Sequence, residues 1–566
     1  MPDNSKADAS VDSEPNLNRR RFLSAGAAAG VSVAAAVASS PAPAASGKEM
    51  VWDREVDIIV IGAGASGLPA CIAARDQGAS VMVVEHHFDT GGIAIMSGGD
   101  IRIGGGNRLQ KAAGINETPD DVFKQWTHPL RHRFADADLV RRFADENVAT
   151  FDFLEANGVN FDLHGTEVPQ EYKTGVTDAG MRPHEWPIRT DKLALDQGRN
   201  GSGIVRPLEL SARDKGVEFL LSHTLRTIHR EEPFAGRVLG VTVETVDRWF
   251  QPQHRFLNLR ARKAVVLCNG GHGANVHFRR MFDPRLTAEY QHHGQATAPA
   301  NAAGEIAAIS IGAALWSCGN ETDTGTGQAI DKGRLAVREN YVRGKIGPEA
   351  AVFFRHRALG LDVKDWQDLI LVKENGLRFW NEIDKTDAYF SHALQPTGDP
   401  KKLNGGGPIW AIFDADAVAR EKWSTETPHV DRAGGYFFSG ATLEDLAAQL
   451  RRNIYQWRAM PGDALRKTVE RFNSFVVSGT DSDFKRPSPP HKIEKPPFYA
   501  AWATPCLHDS YTGLRTNTNC QVMDMQGKLI PGLFAAGETQ GGIKSHGLGR
   551  CIVTGRIAGM EAARSA

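Results

Sequence analysis

Apolar residues along this chain gather in short runs, rich in β-branched side chains, that end abruptly on glycine or an acid. Residues 56–61 (VDIIVI) run into Gly62, residues 80–84 (SVMVV) stop at Glu85, AVVLCNGG closes on Gly270 and Gly271, and IPGLFAAGE runs into Gly537 and Glu538. Apolar at nearly every position, such runs predict strands buried in a parallel sheet rather than half-exposed antiparallel ones. The alanine-rich stretch LPACIAARDQG after Gly67 predicts the helix between the first two strands. The pattern is therefore α/β, with its strands scattered from residue 56 almost to the C-terminus.

The first fifty residues follow a different rule. Arg19 and Arg20 precede Phe22 and Leu23, a weakly apolar alanine-rich stretch follows, and Ala42-Pro43-Ala44 closes it as a small-residue cleavage pattern. This arrangement resembles a twin-arginine export signal, covering residues 1–47. Serines and glycines interrupt the stretch, which makes it too soft to hold a bilayer. The expectation is an exported chain, periplasmic or extracellular, with no integral membrane segment in its mature part.

A chain of 566 residues, 41% hydrophobic and with a net charge of -1, has the size for two or more domains. Lysines and arginines are spread without a basic domain, which argues against nucleic acid. The six cysteines form no C-x-x-C pair, which argues against zinc ribbons, c-type haem and a thioredoxin-like site. Iron-sulfur ligation is not expected either, and no metal site is.

The chemistry begins at the first strand. Gly62, Gly64 and Gly67 form G-x-G-x-x-G around Ala65 and Ser66, the helix follows, and the second strand ends on Glu85. In such a unit the first glycine makes the tight turn and the second admits a pyrophosphate. The third lets the helix pack closely, and the acid accepts ribose hydroxyls. Pro69 falls in the first helical turn, where its missing N–H costs little. The unit predicts dinucleotide binding.

The rest of the chain selects the dinucleotide. TGGIAIMSGGD offers the backbone of Gly91, Gly92, Ser97, Gly98, Gly99 and Asp100 directly after the second strand, where a simple NAD domain would need another crossover helix. An extended ligand such as FAD suits that run. Gly270, Gly271, Gly537 and Glu538 would close the same site from later segments.

Taken in order, VIGAGASGLPA, TGGIAIMSGG, AVVLCNGGHGAN, NAAGEIAAISIGAAL, GLRFWNE, IPGLFAAGE and GRIAG resemble the fumarate reductase, succinate dehydrogenase and 3-ketosteroid dehydrogenase superfamily of flavoproteins. The resemblance implies a discontinuous Rossmann-like FAD-binding domain, residues 50–317 and 496–566, with an inserted α+β capping domain at 318–495. It implies hydride exchange between a flavin and a carbon near a carbonyl, with a side chain handling the neighbouring proton. It also makes Gly547 and Leu548 the turn into the last helix, at the flavin ring. Gly92 stands near the place of the family's histidyl-flavin link, so FAD is expected to be non-covalent, and His86 and His87 to be loop residues.

Departures from the family bear on substrate. Thr386 falls where fumarate reductases carry an acid arginine, Gly542 replaces a second arginine, and Asp509, beside His508, replaces a histidine. Neither threonine nor glycine imitates a bidentate guanidinium. Ketosteroid dehydrogenases place tyrosines near Tyr389 and Gly541, a partial match. The candidates for proton handling are then Tyr511, Tyr389, Lys544 and His546, with Arg378 and Glu382 a structural charge pair. Tryptophans 366, 380, 410, 423 and 457 predict either a cap core or an apolar wall for a hydrophobic or cyclic substrate. No second nucleotide fingerprint or haem motif is visible, so electrons are expected to pass to or from a quinone or a separate redox partner. A flavin electron-transfer subunit, or a reductase of an unsaturated carboxylic acid, are the alternatives.

Overall fold

The computed structural model describes residues 50–565, apart from 98, 100, 113, 129–133, 162–200, 296–297, 318–333, 340–345, 349, 385–391, 396–405 and 545–546. The twin-arginine segment, Gly98, Asp100, Tyr389 and His546 thus lie outside the described residues. Residues from Trp52 onward pack as one unit.

The glycine-terminated runs become neighbours in one eight-stranded sheet. Arg54–Ile61 lies between Val81–Val84 and Pro252–Leu267, and Leu529–Ala535 adds beyond Pro252–Leu267, all in parallel. Glu218–Leu220 extends the other edge. A hairpin of His223–Glu232 and Ala235–Val246 pairs antiparallel with the first half of Pro252–Leu267. The hairpin makes that strand long: its polar first half serves the hairpin, its apolar second half the parallel sheet.

Side chains alternate across the large sheet as its period of two requires. Ile58, Val60, Val81, Val83, Ala264 and Val266 face a core shared with helices Gly67–Asp76, Ala137–Ala156, Ser202–Asp214 and Gly547–Arg564. Ile59, Ile61, Val84, Val265 and Leu267 face the second core, with the hairpin and helix Ala303–Ile309. The last helix reaches the fingerprint helix through Gly555 and Gly559, where a Cβ would collide with the carbonyls of Ser66 and Ala70.

A four-stranded antiparallel sheet forms the second architecture, in the order Phe437–Gly440, Phe498–Trp502, Ile409–Phe413, Ile370–Lys373. Ile409, Ala411 and Phe413 face one core, while Trp410 and Ile412 face another with helices Leu443–Gln449 and Gly462–Ser478. The expected junction at 495/496 needs correction here. Phe498–Trp502 is an inner strand of the small sheet, because Tyr499 to Trp502 pair residue for residue with Phe413 to Trp410. The chain rejoins the large sheet only at Gln521–Met523. No described helix is long and apolar enough to cross a membrane.

Candidate active site

Register explains how remote segments make one site. Ile61 pairs with Val84 and with Leu267, and Leu267 pairs with Ala535, so four strands stop in line at their C-terminal ends. Backbone bonds continue the alignment: Gly62 N–H donates to Val84 O (2.7 Å), Cys268 N–H to Ile61 O (2.8 Å) and Ala536 N–H to Leu267 O (3.0 Å). The Thr539 hydroxyl ties the last segment to the Gly270 carbonyl at 2.9 Å. Ligand crevices of open α/β sheets form at such strand ends.

A cleft open to solvent occupies this position. Of the expected cofactor contacts, Gly62, Gly64, Ala65, Ser66 and Glu85 line it from the first unit, and Gly91, Gly92 and Ser97 from the following loop. Gly270, Gly271, Glu538, Gly547 and Leu548 line it from the later segments. Three described residues stand behind the wall instead. Gly67 packs on Gly62, where its Cβ would strike the Gly62 carbonyl; Gly99 N–H donates to the Ser97 hydroxyl (3.1 Å); and Gly537 N–H donates to the Thr554 hydroxyl (2.9 Å).

Local backbone chemistry shapes the wall for an extended anionic ligand. Gly62 has φ of 101°, and a Cβ there would collide with the Cys268 carbonyl. Ser66, ahead of helix Gly67–Asp76, gives the first turn no side-chain acceptor, which leaves that end of the helix suited to a phosphate. Glu85 accepts from Ala63 N–H (2.7 Å) and His87 N–H (2.8 Å). Burial pushes its carboxyl up to about 6 against the pull of those amides.

His86 also lines the cavity, stacked on Phe250 with centroids 5.4 Å apart, and Arg355 lies 4.6 Å from the Phe250 centroid. Both histidines stand in the loop after the second strand, as expected, His86 on the cavity wall and His87 buried. Burial drives His86 down to about 4 and His87 to about 3, so both rings are neutral. Residues adjacent to an expected acid carry no pattern of their own, and the sequence held no signal for the Phe250 stack.

At the opposite end, the last strand and last helix bring Glu538, Gly547, Leu548 and Cys551 to the wall, and the segment after the small sheet brings His508 and Asp509. His508 Nδ1 lies 3.1 Å from Asp509 Oδ1, and its ring stacks on His293 at 5.5 Å and 9°. Tyr511 and Lys544 are buried, and neither is on the cavity wall. Tyr511 lies under Arg550, whose guanidinium carbon is 5.4 Å from the ring centroid. Arg550, fully buried, donates to the carbonyls of Ile543 (2.9 Å) and Ser510 (3.0 Å). Burial pushes the Cys268 and Cys551 thiols up to about 12, which keeps them protonated.

Other sequence candidates resolve as structure. Arg378 binds Glu382 at 2.7 Å and Asp481 at 2.9 Å, and Arg486 joins Glu382 at 3.0 Å, a buried four-charge network. Trp410 is core, Trp457 is exposed, and none of the five tryptophans lines the cavity among the described residues. Asp365, Asp368 and Glu421 bring carboxylate oxygens within 4.8 Å of one another. Lys364, Arg420 and His491 stand against them, so that group is a salt-bridge cluster.

The FAD binding domain family matches residues 57–550 of this chain. The chain belongs to that family. It is 26% identical over 524 residues to a probable fumarate reductase of Shewanella frigidimarina, covering 90% of this chain and 75% of that protein. It is 24% identical over 602 residues to a 3-oxosteroid 1-dehydrogenase of Mycolicibacterium smegmatis, covering 91% and 98%. In fold it is similar to a 3-ketosteroid Δ1-dehydrogenase from Sterolibacterium denitrificans, with a TM-score of 0.61 at 20% identity, covering 90% of this chain and 100% of that one. The cofactor is FAD, and the residues present fit it: an anion-ready turn, a buried acid at one end and a helix start at the other. The protein is an FAD-dependent oxidoreductase acting on CH–CH groups.

Proposed function

We infer that the protein moves a hydride between FAD, held non-covalently, and a C–C bond conjugated to a carbonyl in a ketosteroid-like or other cyclic enone substrate. FAD supplies the two-electron exchange; the chain supplies the cradle and the proton. One observation carries the choice against a dicarboxylate. Gly542, where the family resemblance implies a carboxylate-binding arginine, has φ of 92°, and a Cβ there would lie 2.9 Å from Leu139 Cδ1 and 3.1 Å from Trp316 Cδ1. An arginine there would strain the left-handed backbone and require Leu139 and Trp316 to give way. Asp509, on the cavity wall, offers a carboxyl where the family resemblance implies a histidine.

Gly547 and Leu548 begin an 18-residue helix at the cavity, and its N-terminal amides suit negative charge on a reduced flavin. Electrons enter or leave through a quinone or a separate redox protein, since the chain carries no second nucleotide fingerprint. The chain is exported by its twin-arginine segment to the periplasm or beyond. Cell fractionation tests this, with Arg19→Lys and Arg20→Lys together expected to retain the protein in the cytoplasm.

The test of substrate class is anaerobic reoxidation of the photoreduced flavin. Cyclic enones are expected to reoxidise it, and saturated ketosteroids to reduce the oxidised form. Rapid reoxidation by fumarate, with none by cyclic enones, would favour the unsaturated-acid reading instead. A flavin that exchanges electrons only with redox proteins would make this an electron-transfer subunit.

A further inference from the structure

The connection before helix Gly462–Ser478, residues 453–461, is folded with its polarity reversed. Asn453 and Gln456 are each 2% exposed, whereas Ile454 is 54% and Trp457 77% exposed. Hydrogen bonds hold the two amides inside. Asn453 Nδ2 donates to Gly435 O (2.8 Å) and its Oδ1 accepts from Tyr455 N–H (2.8 Å). Gln456 Oε1 accepts from Trp410 Nε1 (2.9 Å), and its Nε2 donates to Arg458 O (2.9 Å). With these anchors tied to the small sheet and to the turn before it, the two large apolar side chains of the loop are left in water. A single exposed apolar side chain is ordinary; a pair held outward by buried anchors is built as an interaction surface.

The charge around the pair selects its partner. Arg451, Arg452 and Arg458 flank it, all three exposed, and the sequence has no acid between Asp445 and Asp463. Phe234, 70% exposed at the turn of the hairpin, is the contrast, since Glu231 and Glu232 stand beside it. Tryptophan and isoleucine among arginines match the boundary of an anionic bilayer: the indole sits at headgroup level, the aliphatic side chain enters the acyl edge, and guanidinium groups meet lipid phosphates. A stable protein interface needs a broad patch, whereas two apolar side chains rimmed by cations suffice for shallow insertion into lipid. The loop is also joined to the cavity. Gln291 Nε2 donates to Tyr455 OH at 3.2 Å, and the parallel pairing of Gln291–His292 with Cys506–Leu507 runs on into His293 and His508 of the cavity wall.

We propose that residues 451–458 dock the protein on an anionic lipid surface, with Ile454 and Trp457 entering the interface and Arg451, Arg452 and Arg458 against headgroup phosphates. Docking of this kind is peripheral, and because its cations are exposed it weakens with salt. Asn453 and Gln456 act as positioning residues, fixing the loop before lipid is met.

The test is co-sedimentation of the full FAD-loaded protein with vesicles of phosphatidylcholine alone or mixed with phosphatidylglycerol. Binding is expected to the mixed vesicles at low salt, and its loss at high salt. Trp457→Ala is expected to weaken that binding about tenfold, and Ile454→Ser to weaken it as well. Arg451→Gln and Arg452→Gln together are expected to cost about 25-fold, at about fivefold for each cation. Phe234→Ala, similar in exposure but set among acids, is expected to bind as the wild type does. An unchanged flavin spectrum and unfolding midpoint in Trp457→Ala separate lost docking from lost fold. Wild-type binding in both Trp457→Ala and the arginine variant overturns the proposal, as does equal binding to the two vesicle types. Absence of sedimentation with either vesicle also overturns it; electron exchange with a soluble acidic cytochrome that the arginine variant weakens would then assign the loop to a protein partner.

Discussion

Arg550 holds the Ser510 carbonyl at 3.0 Å, and through that bond the first turn of the last helix fixes the segment that carries Asp509 to the cavity. The same guanidinium holds Ile543 O at 2.9 Å, so one buried side chain joins the glycine-rich loop before the helix to the segment before the last strands. It acts on the site by position, from behind the wall.

Removing it takes the guanidinium donor from two buried carbonyls. Arg550→Ala is expected to destabilise the FAD-loaded protein by roughly 2–6 kcal/mol, at about 1–3 kcal/mol for each abandoned acceptor. Arg550→Lys recovers only part, since an ammonium lacks the planar fork that spans both carbonyls. Urea unfolding measures the loss, and flavin released on gel filtration shows whether the wall fails with it. Wild-type stability and flavin content in Arg550→Ala would remove the residue from this role.

Glu305 carries a pH dependence that can be checked by itself. It is fully buried at the start of helix Ala303–Ile309, accepts from Asn269 Nδ2 at 3.2 Å, and lies 4.0 Å from His272 Nδ1. Burial pushes its carboxyl from 4.5 up to about 7, against the pull of His272. The folded state therefore keeps a proton that the unfolded chain has released. Its stabilising contribution is complete below about pH 4.5 and is lost as pH rises through about 7. Thermal unfolding from pH 4.5 to 8 is expected to show a decline that Glu305→Gln flattens. An identical slope in the variant would assign the decline to other groups.

The fold was legible in sequence because its strands are buried on both faces and so announce themselves as unbroken apolar runs. Residues 56–61, 80–84 and the run ending at Gly271 all became strands in register, and the glycines that stop them became the wall. The small sheet was harder. Phe498–Trp502 reads FYAAW and lies just past a proline pair, so its place beside Ile409–Phe413 rests on tertiary pairing that no local pattern records. Site residues divide the same way. Glycines required by backbone geometry were visible, whereas His86 and Asn269 stand beside expected contacts without a pattern of their own, and His293 comes to the wall from a segment that carried no signal. Tyr511 and Lys544 attracted notice by residue type, and both are buried off the cavity wall.

Gly542 gives a steric test of the substrate reading. Its carbonyl accepts from Asp136 N–H at 2.8 Å, at the start of helix Ala137–Ala156, and Leu139 of that helix closes over the glycine. Gly542→Arg is expected to lower stability by more than about 2 kcal/mol, through left-handed backbone strain and overpacking together, and to yield no fumarate turnover. Gly542→Ala should show most of the backbone part alone. A stable Gly542→Arg protein that reduces fumarate would show the position open to substrate.

The tryptophans separate core from surface: Trp410 lies in the small sheet and Trp457 outside its strands. Trp410 is fully buried, packs edge-on to Trp502 with centroids 5.5 Å apart, and donates from Nε1 to Gln456 Oε1 at 2.9 Å. Trp410→Ala is expected to cost about 3–5 kcal/mol, because the cavity left between the strand and helices Leu443–Gln449 and Gly462–Ser478 cannot close. Trp457 is 77% exposed, and Trp457→Ala is expected to stay within about 0.5 kcal/mol of wild type. Neither ring touches the cavity, so the Michaelis constant for an enone should be unchanged in Trp457→Ala and in whatever Trp410→Phe protein folds. A large rise in that constant for either variant would place the tryptophan against substrate after all, and would restore the apolar wall that the sequence pattern allowed.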